Sequence, residues 1–283
     1  MKRRRLLLFL ATLGLATLGS SCRRAEVDGA GTRIVSLAPA VTETLFTIGA
    51  GSAVVAVSDY CDSPPEVKRL PRVGTSITPN YEAIARLGPT LVVSEANVSS
   101  RKRELEALAP TRLLPWLTLQ EIAGSIRELG KLSAKQAAAD TLADKLLARL
   151  SVPESATGPR VLLVLGGESS DTTEIWFVRQ NSLHGAALRA AGARNAVAED
   201  VSGPPQLSHE RLLQLDPDFI IVLTRPEAHA TNLAGFERFT TLKAVKAGHV
   251  SLLKASEAFA NGPRILTLVD RLHAELVRLG ALP

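Results

Sequence analysis

The sequence predicts an α/β fold of two similar lobes with mostly parallel sheets, joined by one long α-helix. Three observations carry that expectation. From Arg33 onward, short apolar runs of strand length alternate with helical stretches. A segment of the first half returns in the second, Tyr81 aligning with His209 at an offset of 128 residues. Between the halves lies a long stretch free of proline and rich in Ala, Leu, Lys, Gln and Glu.

In chain order, residues 34–37, 54–57 and 91–93 read as strands of a first lobe spanning 33–118, with a further strand before Trp116. Residues 161–165, 175–178, 219–223 and 250–253 read as strands of a second lobe spanning 160–283. Runs this short and apolar on both faces suit parallel sheets covered by helices. The repeat aligns residues 81–93 with 209–221: a short capped helix, a turn containing Pro89 or Pro217, then a buried strand. More loosely, 44–55 matches 187–197, and the strands opening at Arg33 and Arg160 complete the parallel. Residues 119–152 form the connecting helix, with apolar positions at Ile122, Ile126, Leu129, Leu132, Leu142, Leu146 and Leu150. Its periodicity admits one long helix or two abutting ones, with Gly124, Gly130 and Ser133 as fray points. A single helix would be a stiff hinge that permits only small relative motion. Residues 153–159 are a Pro/Ser/Gly linker, and the last helix begins at Pro263, burying Ile265, Leu268, Val269, Leu272 and Leu276.

The 283 residues are 46% hydrophobic with two cysteines, which excludes a disordered chain and a disulfide scaffold. The net charge of +5 is concentrated at the start, where Lys2, Arg3, Arg4 and Arg5 precede an apolar run with no acid before Cys22. Without that segment 29 basic residues face 28 acidic ones, so no basic stripe points to nucleic acid. The basic, apolar and small-residue order of residues 1–22 is that of an export signal, followed by a tether over 23–32. Cys22 resembles the acceptor cysteine of a bacterial lipoprotein, although Gly19 stands where that motif has Leu; ordinary cleavage near Ser21 is the alternative. With Cys22 used, Cys61 has no partner in the mature chain and is either a small buried hydrophobe or a thiol facing a site.

Catalytic signatures are missing. There is no Gly-x-Ser-x-Gly, phosphate-cradling loop or His-Glu-x-x-His, and the five histidines show no metal-ligand spacing. Gly49-Ala50-Gly51 follows a helix and precedes a strand, the reverse of a dinucleotide fingerprint, and reads as a helix C-cap. An exported enzyme on a duplicated α/β scaffold and a sensory or scaffold lipoprotein are the competing classes.

Several motifs carry a family resemblance. Arg33-Ile-Val-Ser-Leu-Ala-Pro-Ala-Val-Thr-Glu-Thr-Leu-Phe46, the stretch from Val57 through Asp59-Tyr60-Cys61-Asp62-Ser63-Pro64-Pro65-Glu66, and Asn80-Tyr-Glu-Ala-Ile84 resemble the helical-backbone class of ABC-importer substrate-binding proteins. Gln206-Leu-Ser-His-Glu210 and Gly262-Pro-Arg264 extend the resemblance over 33–280. The 59–66 stretch is most similar to the cobalamin-binding branch. The resemblance implies an extracytoplasmic monomer that captures cobalamin between its lobes and delivers it to a membrane permease with a cytoplasmic ATPase. Haem and ferric siderophores are the alternative ligands. No resident cofactor or metal is expected.

In parallel sheets ligands bind at the carboxyl ends of the strands. The ligand-binding candidates there are Pro39, Ala40, Tyr60, Trp116, Phe259 and Arg264; Trp116 and Trp176 have core positions at strand ends as their plain alternative. Glu82 and Glu210 occupy equivalent places in the repeat, each in the first turn of a helix capped by Asn80 or Ser208. The helix dipole alone favours an acid there by about 0.3–1 kcal/mol. The resemblance implies more, one glutamate per lobe salt-bridging permease arginines. Cobalamin carries its own axial ligands, whereas haem capture needs a donor, and Met1 is the only methionine.

Overall fold

The computed structural model describes residues 31–97, 101–153, 155–166, 175–201, 204–227, 233–259 and 261–283. The expected export signal with Cys22, most of the expected tether, and Gly167 and Glu168 after the first strand of the second lobe lie outside the described residues.

The first lobe runs β1 (Ile34–Ser36), α1 (Pro39–Thr47), β2 (Val54–Val57), α2 (Tyr81–Arg86), β3 (Leu91–Glu95), α3 (Lys102–Glu106) and β4 (Thr111–Leu114). Its four strands are parallel in the order β2-β1-β3-β4. Gly49, at φ 78°, closes α1 with its N–H on Phe46 O, as expected of a C-cap glycine.

Between the lobes the structure places two helices, α4 (Leu119–Leu132) and α5 (Gln136–Leu150), in place of the single long helix. Ala134, at φ 57°, turns the chain back. Arg127 then reaches Asp144 at 2.5 Å and Asp140 at 3.6 Å, a pairing that runs antiparallel. Gly130 is a close-approach residue rather than a fray point: a Cβ there would lie 2.4 Å from that of Ala139. The hinge is therefore a helical hairpin, α4 lying on α1 of the first lobe and α5 on the second.

The second lobe runs β5 (Arg160–Leu165), β6 (Ile175–Trp176), α6 (Leu183–Ala190), β7 (Arg194–Asn195), β8 (Gln206–Leu207), α7 (His209–Leu215), β9 (Phe219–Thr224), α8 (Ala234–Glu237), α9 (Lys243–Lys246), β10 (Val250–Lys254) and α10 (Ile265–Arg278). The main sheet is parallel, in the order β10-β9-β5-β7. Matching β1 with β5, β2 with β7, β3 with β9 and β4 with β10 makes the two strand orders identical, as the repeat requires. The run at 175–178 is the exception. β6 pairs antiparallel with β8 in a separate ribbon, and Phe177 joins the main sheet through an isolated antiparallel bridge to Val164.

Both sheets are buried on both faces, which is why their strands read as unbroken apolar runs. Along β9, Phe219, Ile221 and Leu223 face inward while Ile220 and Val222 face outward. The inward residues of both lobes and of the hairpin form one cluster, from Val41 and Val93 through Ile126 and Leu146 to Leu163 and Leu272. All five residues expected on the buried face of α10 are buried.

Candidate functional site

The carboxyl ends of the two sheets meet at the lobe junction. From the first lobe come Pro39 after β1, Tyr60 after β2, Glu95 at the end of β3 and Trp116 after β4. From the second come Arg225 after β9 and the 3-10 turn Ser256–Phe259 after β10. Among the described residues, three residue pairs make polar contacts across the junction. Asp62 lies 3.7 Å from Arg225, whose guanidinium sits 4.8 Å above the Phe259 ring. Trp116 Nε1–H donates to Asn261 O at 2.6 Å. Glu43 accepts from the Arg264 backbone N–H at 2.9 Å and from its Nε at 2.7 Å.

The Glu43 contact has a structural logic. Arg264 immediately precedes α10, a helix without a side-chain cap of its own, so a carboxylate from the other lobe satisfies one of its orphan donors. Gly262 makes room, since a Cβ there would lie 3.0 Å from Glu43 Oε1. Glu43 is 4% exposed, and an unpaired carboxylate so buried would be costly.

The candidate ligand residues divide accordingly. Tyr60 is 72% exposed and Phe259 partly buried, both with ring surface at the junction. Pro39 is half-buried where α1 begins, and Ala40 is buried behind it. Trp116 is buried and its indole N–H is already donated; the Arg264 charge is committed to Glu43. Trp176 is exposed, held by the Phe177–Val164 bridge beside the carboxyl end of β5. Cys61 is buried, its Sγ 3.2 Å from Thr42 Oγ1 and 3.3 Å from Ser58 Oγ. A cavity of about 520 Å³ opens beside the junction between α1, Ser63, Pro64, Glu66, Lys145 and the start of α10, and of the ligand candidates only Arg264 borders it.

Two groups at the junction titrate away from their ordinary values. Burial pushes the Glu95 carboxyl up to about 7. Burial also lowers the His184 imidazole, whose Nε2 lies 2.8 Å from Ala258 O in the turn that carries Phe259. Glu82 and Glu210 are both exposed and equivalently placed. Asn80 Oδ1 accepts from Ala83 N–H at 3.0 Å, and Ser208 Oγ accepts from Arg211 N–H at 3.2 Å. Glu82 pairs with Arg86 at 2.5 Å. The Glu210 carboxyl is held below its ordinary value by its own backbone N–H and by the Ser208 hydroxyl.

Sequence reasoning assigned no role to Glu43 and singled out neither Glu95 nor Asn261 from the strand ends that carry them. The signal for Glu43 was present, as the one charge in an otherwise uncharged α1. Among the described residues no group of three or more His, Cys, Asp or Glu is arranged to hold a metal ion, and no helix is long and apolar enough to cross a membrane.

Comparison with known proteins gives this geometry its context. The periplasmic binding protein family model matches residues 34–257. A vitamin B12-binding protein of Pectobacterium carotovorum is 28% identical over 259 residues, covering 87% of this chain and 89% of the relative. The structure is similar to that of a periplasmic vitamin B12 binding protein of Vibrio cholerae, with TM-score 0.67, 28% identity, and coverage of 88% of this chain and 97% of that one. A periplasmic heme binding protein of the same organism has the same fold, with TM-score 0.71 and 18% identity over 87% of this chain and 98% of that one. With the family model spanning both lobes and the hairpin between them, the chain belongs to the periplasmic binding protein family.

Proposed function

We propose that this chain is the extracytoplasmic substrate-binding protein of an ABC importer, capturing cobalamin or a related corrinoid between its lobes and delivering it to a membrane permease. The observation that carries the reading is the meeting of two sets of strand carboxyl ends at one junction, flanked by two equivalently placed exposed glutamates. Similarity to vitamin B12-binding proteins along both lobes supports the choice of ligand. Pro39, Tyr60 and Phe259 offer apolar and ring surface to a flat macrocycle, with Ala40, Trp116 and Arg264 shaping the wall behind them. Binding needs no chemistry, only a slight closure of the lobes about the α4–α5 hairpin.

Delivery then depends on Glu82 and Glu210, one on each lobe, pairing with cations of a two-fold permease. Lipid on Cys22 would hold the monomer at the membrane surface, and the ATPase would work from the cytoplasmic side. Calorimetric titration of the chain that follows Cys22 with cyanocobalamin tests the reading. One-to-one binding is expected, and no binding would refute it. Haem is the second reading, favoured by the exposed Tyr60 phenol as an axial donor. In that case hemin would give a phenolate-coordinated spectrum that Tyr60→Phe abolishes.

A further inference from the structure

Glu95 ends β3, and strand alternation puts its side chain on the inward face with Leu91 and Val93. Its register partner is Leu114, two residues before Trp116, and on the other side the β1 chain continues into Pro39. The carboxyl group therefore lies among the strand ends that line the lobe junction. Its counterpart in the repeat is Leu223, an inward core residue of β9 that is fully buried. Where the duplicated scaffold calls for a leucine, this lobe has an acid. Among the described residues, no ion pair or side-chain hydrogen bond reaches its carboxyl.

We propose that Glu95 is a specificity-determining residue of the cleft, selecting a tetrapyrrole edged with amides over one edged with carboxylates. An amide N–H donates to its oxygen, whereas a ligand carboxylate is repelled once Glu95 ionises. Among the described residues no cation is paired with Glu95 to offset that repulsion. The segments flanking Glu95, Leu37 to Ala40 and Leu114 to Trp116, carry no charge. On α1 the only charge is Glu43, bound to Arg264; from the second lobe, Arg225 is paired with Asp62. Burial holds the Glu95 carboxyl near neutral pH, so its charge changes in an accessible range.

The inference rests on the tetrapyrrole reading above. The test uses the chain purified from the envelope of expressing cells, with cyanocobalamin and hemin as probes, at pH 6 and pH 8. Wild type should prefer cyanocobalamin, more so at pH 8. Glu95→Gln should bind hemin about tenfold more tightly than wild type at pH 8, the worth of one pKa unit, and far less so at pH 6. Glu95→Asp, which keeps the charge, should retain the wild-type preference. Comparing variant with wild type at each pH cancels the ionisation of the probe itself. Equal effects of Glu95→Gln on both probes at both pH values would overturn this inference alone. Failure of wild type to bind either probe would overturn it together with the proposed function.

Discussion

The two lobes share one plan, and their differences lie where they face each other. Arg33 and Arg160 open equivalent strands, and each donates from Nη2 to the carbonyl that ends the following repeat helix, Leu87 O at 2.6 Å and Leu215 O at 2.8 Å. Asn80 and Ser208 cap those helices alike. At the junction the likeness stops. Across it the first lobe sends the acids Glu43, Asp62 and Glu95, while the second answers with Arg225, Arg264 and the Leu223 core position, its own buried Glu257 being paired within the lobe to Arg271. The duplicated scaffold supplies stability, and departures from it supply a complementary, chemically distinct interface.

The largest expected effect comes from breaking that complementarity. Glu43→Ala leaves the Arg264 backbone N–H, just before α10, without its acceptor and the Arg264 guanidinium with only the Ser256 hydroxyl at 3.4 Å. Loss of one partner from a buried pair costs roughly 3–5 kcal/mol, and partial solvation of Arg264 places this case at the low end. Urea denaturation of Glu43→Ala, Arg264→Ala and the double variant should show strong non-additivity. Additive losses would mean that the pair does not brace the lobes.

A smaller effect restores likeness between the lobes. Glu95→Leu copies the residue of the second lobe. Because the folded pKa is raised, the native state holds a proton that the unfolded chain releases above about 4.5, so wild-type stability falls from there to about pH 7 and levels off above. The variant should lose that decline and gain on the order of 1–3 kcal/mol at pH 8, read from melting curves across pH. A parallel pH profile for the two proteins would contradict the assignment.

The smallest effect on stability belongs to the exposed glutamates. Glu82→Ala removes a pair that is solvated on both sides and worth little, and Glu210→Ala removes a fully exposed charge. Melting and ligand affinity should be unchanged in both variants while cellular uptake falls. Uptake at the wild-type rate would remove docking from their role.

Much of this was legible before any coordinates. The strand runs other than 175–178, the repeat and its caps, the buried face of α10 and the C-cap at Gly49 follow from local periodicity and turn chemistry. The hairpin did not, because its reversal is carried by Ala134 in a left-handed conformation, a strain of about 1–2 kcal/mol that packing of α4 on α5 sustains. The two-residue strands β7 and β8 are too short to leave a pattern. The partners of Trp116 and Arg264 depend on which residue of the other lobe arrives opposite them, and no local signal encodes that.

Glu43 caps a helix that belongs to the other lobe, which ties lobe separation to the solvent protection of one backbone amide. While the lobes are together, the Arg264 N–H is sequestered by a carboxylate from across the junction. Any excursion that parts them at this point hands that amide to water, without unfolding either lobe. Its hydrogen-exchange rate is therefore a built-in gauge of how often the empty protein opens, and ligand that closes the cleft should slow it.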